Sequence, residues 1–270
     1  MRGWFSRDYE PLVSVDPGDP VSFHTLAAFW CWDVDVEPER PEGAGHALHG
    51  PIEVRGARAG QTLVVSIGEV ATRDWGATFG DGELFHWRLD GDVWRLDDLA
   101  VASAPFLGVI GMPPAEPGIH STIPPRRSGG NIDCKLLVAG TTLFLPIPVD
   151  GALVSAGDGH GAQGDGEVSG TAIETPLERV ELTFGLRDDL ELRMPVARTA
   201  DAWVAFGFDT DLDVAAALAT ETMLDLMERE LALDRKKALA LASVAVDLRV
   251  TQLVNDAKGV HAVLADTGIR

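Results

Sequence analysis

The chain has 270 residues, 46% of them hydrophobic, and a formal net charge of −20. This length and hydrophobic content suit a soluble protein with one large core, or with a core and a subdomain. The negative charge disfavours nucleic acids and anionic membranes as partners, because both are bound through clustered Lys and Arg. The two cysteines, Cys31 and Cys134, lie far apart in the sequence, so neither a disulfide scaffold nor a zinc finger is expected.

The sequence contains no apolar segment near the roughly 18 residues that span a bilayer. Its first residues, MRGWFSRDYE, lack the apolar stretch of a signal peptide. We therefore expect a cytoplasmic protein whose partner is a small neutral or cationic molecule, with no membrane and no nucleic acid involved.

The chain up to residue 208 has the pattern of many short strands broken by Gly, Pro and Asp. PIEVRGARAGQTLVVSI predicts strand, turn and strand, and ERVELTFGL alternates with Val180, Leu182, Phe184 and Leu186 on one face. In PGDPVSF, AGQTLVVSI and AGTTLFLPI a glycine suited to positive φ precedes an apolar strand. Many short strands of this kind are typical of a sandwich or jelly roll.

Beyond residue 208 the composition becomes helical, and a helix is predicted from Leu212 to Leu233. Thr210 and Asp213 form a passable capping box for it, and Asp234 is placed to cap a second, short helix. The apolar residues at helical spacing, expected to face the core, are Val214, Ala217, Leu218, Leu224, Met227 and Leu231.

The last part of the chain returns to strand periodicity. VAVDLRVTQLV predicts a strand with Val246, Leu248 and Val250 inward, NDAKG a turn, and VHAVLA a closing strand. The predicted fold is mainly β: a jelly-roll-like β-sandwich (1–208) that carries the site, with a C-terminal α+β subdomain (209–270) packed on it as one structural unit.

A glycine-rich stretch, SAGDGHGAQGDGEVSGTAIE (155–174), gathers acidic residues and one histidine. Crowded carboxylates repel unless a positive charge compensates, and Asp with His is a common ligand set for zinc and similar metals. Asp158 and His160 would share a face in a strand, or converge in a bent loop. The alternative is a solvated surface loop with Gly-Asp turns. A calcium loop is excluded because the acid spacing fails the D-x-D-x-D-G pattern.

Two further segments carry candidate ligands. In IPPRRSGGNIDCKLL, Asp133 follows a Gly-Gly-Asn turn and precedes a predicted apolar strand, where a carboxylate is rigidly held. Its alternative role is to cap that strand. GHALHGPIEV contains His46 and His49, either of which could be a ligand or an ordinary surface histidine.

Covalent catalysis is a weaker hypothesis for this sequence. Cys134 and Lys135 suggest a Cys/Glu/Lys amidase, but adjacent strand residues point to opposite faces, and Cys134 fits a small buried residue equally well. Ser128 precedes two glycines without the second serine and the lysine of a serine amidase.

Three segments, in this order, resemble the acetamidase/formamidase family of metal-dependent amidases. The family pattern is His-x-x-x-Gly-Pro, then Gly-Gly-Asn-x-Asp, then Gly-Asp-x-His-x-x-Gln-Gly-Asp-Gly-Glu, and each part is intact here. The matching segments are HALHGPIEVRGARAGQTLVVSI, the stretch from GIHSTIPP to GTAIE, and the tail VAVDLRVTQLVNDAKGVHAVL. The resemblance implies the sandwich fold named above, often dimeric, and an amidohydrolase that cleaves a small carboxamide such as formamide or acetamide.

The resemblance also implies a role for each motif residue. Asp133, Asp158 and His160 would hold a divalent metal, most often zinc, with calcium or manganese as alternatives. Glu167 would be the general base, although it could itself be a ligand. His46 rather than His49 would be an oxyanion donor or a further ligand.

The remaining motif residues would support the reaction. Asn131 and Gln163 would bind the substrate amide or orient the ligands, and Glu174 would lie just behind the ligands.

Two alternatives to a small-amide hydrolase remain at this point. One is a metal hydrolase of a larger or cyclic amide, favoured by tryptophans at 30, 32, 75 and 87 that could form an aromatic wall. The tryptophan-rich segment 23–40 departs from the family pattern, so substrate contacts are expected to vary there. The other is a non-catalytic β-sandwich that binds a metal structurally.

Overall fold

The described part of the chain folds mainly into strands, with two helices that follow residue 210. The structure is a computed structural model that describes residues 1–33 and 40–266. Its helices are α1 Leu212–Glu230 and α2 Arg235–Ala245. Its strands are β1 Val13–Val15, β2 Pro20–Thr25, β3 Leu48–Val54, β4 Thr62–Thr72, β5 Trp75–Gly80, β6 Glu83–Asp90, β7 Val93–Leu96, β8 Leu99–Ala102, β9 Phe106–Gly111, β10 Pro125–Arg126, β11 Gly129–Asn131, β12 Thr142–Pro146, β13 Val154–His160, β14 Leu177–Arg187, β15 Val196–Arg198, β16 Ala202–Asp209, β17 Val246–Gln252 and β18 Lys258–Ala265.

These strands form three sheets. A six-stranded sheet has the order β1-β3-β13-β9-β11-β10, and an eight-stranded sheet the order β17-β18-β16-β15-β12-β4-β14-β2. A four-stranded meander, β5-β6-β7-β8, forms the third. Strands β1 and β3 pair in parallel, and the pairs around the centre of each large sheet are antiparallel.

The main core lies between the two large sheets. One continuous cluster contains Ile52, Leu107 and Ile110 from the six-stranded sheet and Val65 and Phe184 from the eight-stranded sheet, all nearly inaccessible to solvent. Burial of apolar area on this scale is the main stabilising contribution to such a fold. The predicted β-sandwich is confirmed, as is the alternating inward face of ERVELTFGL.

The turns that precede three of these strands also agree with the sequence. Gly18, Gly60 and Gly140, the glycines of the recurring pattern, have φ of +97°, +93° and +89°. Each lets the chain reverse before a strand that enters the core.

The two helices cover one end of the outer face of the eight-stranded sheet, formed by β16, β17 and β18. Ala215, Ala219 and Met223 of α1 pack with Ala205 of β16 and Ala262 of β18 in a second apolar cluster. The part of the eight-stranded sheet around β16 and β18 therefore has both faces buried, and the order of layers there is sheet, sheet, helices. Neither helix among residues 1–33 and 40–266 has the length and apolarity to cross a membrane.

The predicted inward face of α1 is partly wrong. Val214 is 45% exposed, whereas the small residue Ala215 is completely buried. A side chain at Gly207 of β16 would lie 2.1 Å from the carbonyl oxygen of Ala215, so the helix lies directly against the strand backbone. The contact is made by small residues, and a prediction based on large apolar residues misses it.

The helix caps are one correct prediction and one error. Asp234 caps α2, accepting a hydrogen bond from the backbone N–H of Lys237 at 3.0 Å. For α1 the cap is Asp211, which accepts from the backbone of Asp213 and Val214, and not the predicted Thr210 box. An aspartate at the cap position offers the charge that the first turn of a helix favours.

The C-terminal strands occur where the sequence predicts them, with one side chain misplaced. Leu248 of β17 is 52% exposed, because β17 is the edge strand of its sheet and α1 lies over β16 and β18. The division of the chain at residue 208 stays a prediction. Residues 34–39, within the tryptophan-rich segment, and residues 267–270, within the predicted subdomain, lie outside the described residues.

Candidate active site

Three adjacent strands of the six-stranded sheet bring the predicted ligands together. β9 lies between β11 and β13. Asp133 follows the end of β11, while Asp158 and His160 belong to β13. All three side chains are buried, with at most 2% of each residue exposed. The distance from His160 Nε2 to Asp158 Oδ2 is 3.4 Å, and from His160 Nδ1 to Asp133 Oδ1 it is 3.9 Å.

The local structure at these residues differs from the sequence prediction in two ways. Asp133 lies after strand β11 and not before a strand, since the next strand begins at Thr142. The first part of the glycine-rich stretch, up to His160, is a fully buried strand and not a surface loop. Of the two geometries considered, Asp158 and His160 therefore follow the strand alternative and face the same side.

The carboxylates of the site have unusual backbone conformations. Asp133, Asp158 and Glu167 have φ of +52°, +62° and +43°, in the left-handed region that non-glycine residues rarely adopt. Such conformations cost of order 1–3 kcal/mol each and are concentrated at functional sites. The fold therefore holds three acidic residues in strained positions at a single point.

Gly108 of β9 provides the space in which these side chains meet. A Cβ atom at this position would lie 2.4 Å from Asp158 Oδ2, 2.5 Å from Asp133 Oδ1 and 2.8 Å from His160 Cε1. All three distances are shorter than real contacts of a Cβ atom. The absence of a side chain at Gly108 is thus a requirement of the cluster.

Two glutamates from the segment after β13 complete the cluster. Glu174 pairs with His160 through a β-bridge and places its Oε1 3.4 Å from His160 Nε2. The same oxygen accepts the backbone N–H of Ala172 at 2.9 Å. Glu167 is also buried, and its neighbour Gly166 exchanges backbone hydrogen bonds with Thr251 and Leu253, at the end of β17.

The cluster has the donor set and the unsatisfied atoms of a cation site. Among the described residues, Asp133 Oδ1, Asp158 Oδ1, His160 Nδ1, Glu167 Oε2 and Glu174 Oε2 are buried without a hydrogen-bond partner. Buried polar atoms normally have one. Ligand atoms of Asp133, Asp158 and His160 lie within 4.8 Å of one another, as do those of His160, Glu167 and Glu174. Carboxylate and imidazole ligands in this number fit zinc, manganese and related divalent ions.

The pKa values of three carboxyl groups in the cluster also indicate a cation site. Burial raises the pKa of Glu167 to about 8 and also raises that of Glu174. Burial, together with the charge of Glu167, raises the pKa of Asp133 well above its ordinary value. Carboxylates in this environment lack sufficient positive charge to compensate them.

His160 and Asp158 stabilise each other's charged forms. Burial disfavours the charged ring of His160, but Glu174 and Asp158 outweigh it and raise the pKa of His160 well above its ordinary value. Burial likewise opposes ionisation of Asp158, yet His46 and His160 lower its pKa to about 2. A divalent cation would supply the positive charge that protons supply otherwise.

A small cavity opens onto this cluster. Its volume is about 150 Å³, and its wall includes Asn131, His46 and Glu167 together with Phe29. Asn131 Oδ1 is buried without a partner among the described residues. His46 Nε2 lies 4.0 Å from Asp158 Oδ2. The cavity therefore presents polar groups beside the candidate metal ligands.

Gln163 does not lie where a residue that binds the substrate would lie. Its Nε2 donates to the backbone carbonyl of Asp133 at 2.7 Å, and it does not line the cavity that the described residues form. Of its two predicted roles, this contact fits the support of a ligand.

Sequence reasoning missed Asn255, which reaches the site from the segment predicted as a plain turn. Its side-chain amide donates to Asp133 Oδ2, and it lines the cavity. Gln252 accepts the backbone N–H of Asn255 at 3.1 Å and so holds this turn. The NDAKG segment gives no local signal of this contact, because Asp133 is 122 residues away in the chain.

Several alternative site residues are placed elsewhere. Burial raises the pKa of the Cys134 thiol to about 12, and Cys134 packs in the main core, which argues against a nucleophile. Ser128 donates to the carbonyl of Met112 at 3.0 Å, and His49 stacks on Phe23. Within the described part of the chain, the tryptophans at 30, 32, 75 and 87 do not line the cavity.

Comparison with known proteins agrees with this geometry. Residues 113–266 match the model of the Acetamidase/Formamidase family. The match spans more than half of the chain and contains Asp133, Asp158, His160, Glu167 and Glu174. The chain belongs to the acetamidase/formamidase family. The predicted resemblance is therefore confirmed.

Solved structures of similar proteins extend the family likeness over nearly the whole chain. An acetamidase from Bacillus halodurans is 28% identical, with a TM-score of 0.89 over 98% of this chain and 94% of that chain. A predicted acetamidase/formamidase from Thermoanaerobacter tengcongensis is 27% identical, with a TM-score of 0.90 over 99% and 93%.

A curated relative is similar over a shorter stretch. Acetamidase from Mycolicibacterium smegmatis is 50% identical over 48 residues, which are 18% of this chain and 12% of that protein. The sequence likeness to this acetamidase is thus concentrated in a short part of both chains.

Proposed function

We propose that the protein is an amidohydrolase that cleaves a small linear carboxamide, such as formamide or acetamide, to a carboxylate and ammonia. The observation that carries this proposal is the buried cluster of Asp133, Asp158 and His160, with unpartnered ligand atoms beside a cavity of about 150 Å³. Membership of the family supports it.

Asp133, Asp158 and His160 would hold the metal, with zinc as the first candidate and manganese or calcium as alternatives. When bound, a divalent ion supplies Lewis acidity to the amide carbonyl and lowers the pKa of a water molecule towards roughly 7. The chain's own part is to hold the three ligands in place. Gln163 and Asn255 do so at Asp133.

Glu167 is the proposed general base. It lines the cavity, and its Oε2 has no hydrogen-bond partner among the described residues. In this position it can take a proton from the attacking water and deliver it to the departing nitrogen. The hydroxyl of the water joins the acyl carbon and the C–N bond breaks. The proton of the water goes to the nitrogen, which leaves as ammonia.

Two cavity residues would bind the amide. The free Oδ1 of Asn131 suits the N–H groups of a primary carboxamide, which need an acceptor. His46, on the wall beside Asp158, suits the carbonyl oxygen. Glu174 is held by the backbone of Ala172 and would keep His160 oriented.

The size of the cavity favours a short substrate. The cavity has a volume of about 150 Å³. Drug-sized ligands need about 300 Å³ or more. The hypothesis of a larger or cyclic amide substrate rested on an aromatic wall of tryptophans. These tryptophans do not line the cavity formed by the described residues, so nothing in the cavity favours that substrate. A purely structural metal site would not need an adjoining cavity with an unpartnered glutamate.

Two predictions concern the setting of the enzyme. We propose that it acts as a homodimer, as the family resemblance implies, and in the cytoplasm. Sedimentation equilibrium of the purified protein tests the first, and fractionation of its native cells tests the second.

The test of the proposed function is ammonia release from formamide, acetamide, butyramide and benzamide. We expect turnover of the short amides and a kcat/KM for benzamide at least about 100-fold lower, given the limited space. Asp133→Asn should abolish turnover, whereas Asp98→Asn, an exposed change between β7 and β8, should not. Absence of ammonia from every amide would refute the proposal.

A further inference from the structure

Thr122 lies behind His46 and contacts it twice. Its Oγ1 accepts the backbone N–H of His46 at 2.8 Å and lies 3.0 Å from His46 Nδ1. Thr122 is completely buried. A Cβ atom at Gly45 would lie 2.0 Å from this hydroxyl, so the glycine before His46 gives the hydroxyl the room to approach.

The hydrogen of this hydroxyl has one available acceptor. A threonine hydroxyl donates one hydrogen bond and can accept two. Among the residues that the structure describes, Thr122 Oγ1 makes hydrogen bonds with the backbone nitrogen and with Nδ1 of His46. The backbone nitrogen is itself a donor, so the hydroxyl hydrogen must point to Nδ1.

A nitrogen that accepts this hydrogen bond carries no proton of its own. In the neutral imidazole the proton is then on Nε2, the atom that faces Asp158. The opposite arrangement, with a hydrogen on Nδ1, would leave the buried Thr122 hydroxyl without an acceptor. A buried polar group without its partner is unfavourable.

We propose that Thr122 is a positioning residue that fixes His46 in the Nε2–H form, so that His46 is a hydrogen-bond donor to the cavity and not a metal ligand. This decides between the two roles that the sequence left open for His46. The tautomer follows from the contacts alone. Its catalytic consequence, a hydrogen bond to the substrate carbonyl that strengthens as negative charge develops, rests on the proposed function.

Metal binding through Nε2 would require the reverse tautomer. A histidine that ligates a metal usually donates its other ring N–H to a carboxylate or carbonyl. Thr122 Oγ1 already accepts the backbone N–H of His46, and its own hydrogen would then have no acceptor within the described ranges. The hydroxyl is thus suited to a donor histidine and poorly suited to a ligand histidine.

The experiment is two-bond ¹H–¹⁵N correlation NMR of the metal-loaded enzyme labelled at its seven histidines, where His46→Gln assigns the His46 signals. We expect His46 Nε2 to be protonated and Nδ1 unprotonated in the wild type and in Thr122→Ser. In Thr122→Val, which loses the hydroxyl at nearly the same volume, the two tautomers should mix. Signals of a metal-bound Nε2 with a protonated Nδ1 in the wild type would overturn the proposal, whether or not the variants fold.

Kinetics supply the second readout. Thr122→Val should lower kcat for acetamide about 10- to 100-fold with a smaller change in KM, and Thr122→Ser should restore most of it. If Thr122→Val matches the wild type in kcat, the positioning role is wrong. If the wild type hydrolyses no amide but shows the Nε2–H form, the proposed function fails and the assignment of the tautomer stands.

Discussion

Gly108→Ala is the sharpest perturbation of the metal cluster, because it adds one methyl group without removing any ligand. The new Cβ would lie 2.4 Å from Asp158 Oδ2 and 2.5 Å from Asp133 Oδ1. To restore ordinary contact, each carboxylate oxygen must retreat by about 1 Å. Ligand distances in metal sites are held to within about 0.2 Å. Displacement by several times that tolerance should weaken metal affinity by about 100-fold or more.

The apo protein should tolerate this change better than the metal site does. Overpacking of a buried position costs roughly 1–3 kcal/mol, which a domain of this size survives in most cases. Gly185→Ala is the matched control, since it lies in strand β14 and its added Cβ would meet Val64 at 3.5 Å, an ordinary contact.

The assay is competition between the protein and a chelator of known affinity for zinc, with circular dichroism to verify folding. We expect Gly185→Ala to bind zinc as the wild type does, and Gly108→Ala to lose about 100-fold or more. If folded Gly108→Ala binds zinc within a few-fold of the wild type, the geometry inferred for the cluster is wrong.

Three further predictions concern the groups around the cluster. Glu167→Gln should lower kcat by about 10²–10⁴-fold and leave the metal content unchanged. The ammonia assay measures the first and elemental analysis the second. A variant that keeps both its activity and its metal would remove Glu167 from the mechanism. Asn255→Ala removes the hydrogen-bond donor to Asp133 and should weaken zinc binding about 10- to 100-fold in the chelator competition. Val254→Ala, a change at the exposed neighbouring residue, is the control. Equal zinc affinities of the two variants would contradict this prediction. Burial lowers the pKa of His261 from 6.5 to about 4, so between these values the unfolded chain binds a proton that the folded chain does not. The contribution of His261 to the free energy of unfolding should therefore fall by up to about 3 kcal/mol as the pH drops through this range. His261→Gln should remove that part of the pH dependence in urea titrations, and an unchanged slope would show that another group is responsible.

The parts of the site that sequence predicts are those encoded by residue type and local spacing. Asp158 and His160 are two residues apart, and a strand places such residues on one face whatever the rest of the fold does. Asp133 is recognisable from the Gly-Gly-Asn motif, although its position relative to the neighbouring strands was wrong. The turn glycines were predictable for the same local reason, since few other residues adopt their φ values.

The parts that sequence misses depend on contacts between distant segments. Asn255 and Thr122 have ordinary neighbours in the chain, and their importance comes only from the side chains they meet, Asp133 and His46. Gly108 lies in an apolar strand with no motif around it, and only the packing of three strands gives it a role.

The inward face of α1 was misjudged for a related reason. Its contact with the sheet is made through small residues such as Ala215, which hydrophobic periodicity weights less than the exposed Val214. Which face of a helix is buried depends on the partner surface as well as on the helix.

The most direct test of the central claim is ammonia release from acetamide by one preparation in three states: as purified, after removal of metal by chelation, and after zinc or manganese is returned. We predict activity that disappears with the metal and recovers with it, at about one ion per chain when the cluster of Asp133, Asp158 and His160 is loaded. Full turnover by metal-free protein would contradict the claim that this cluster activates the water.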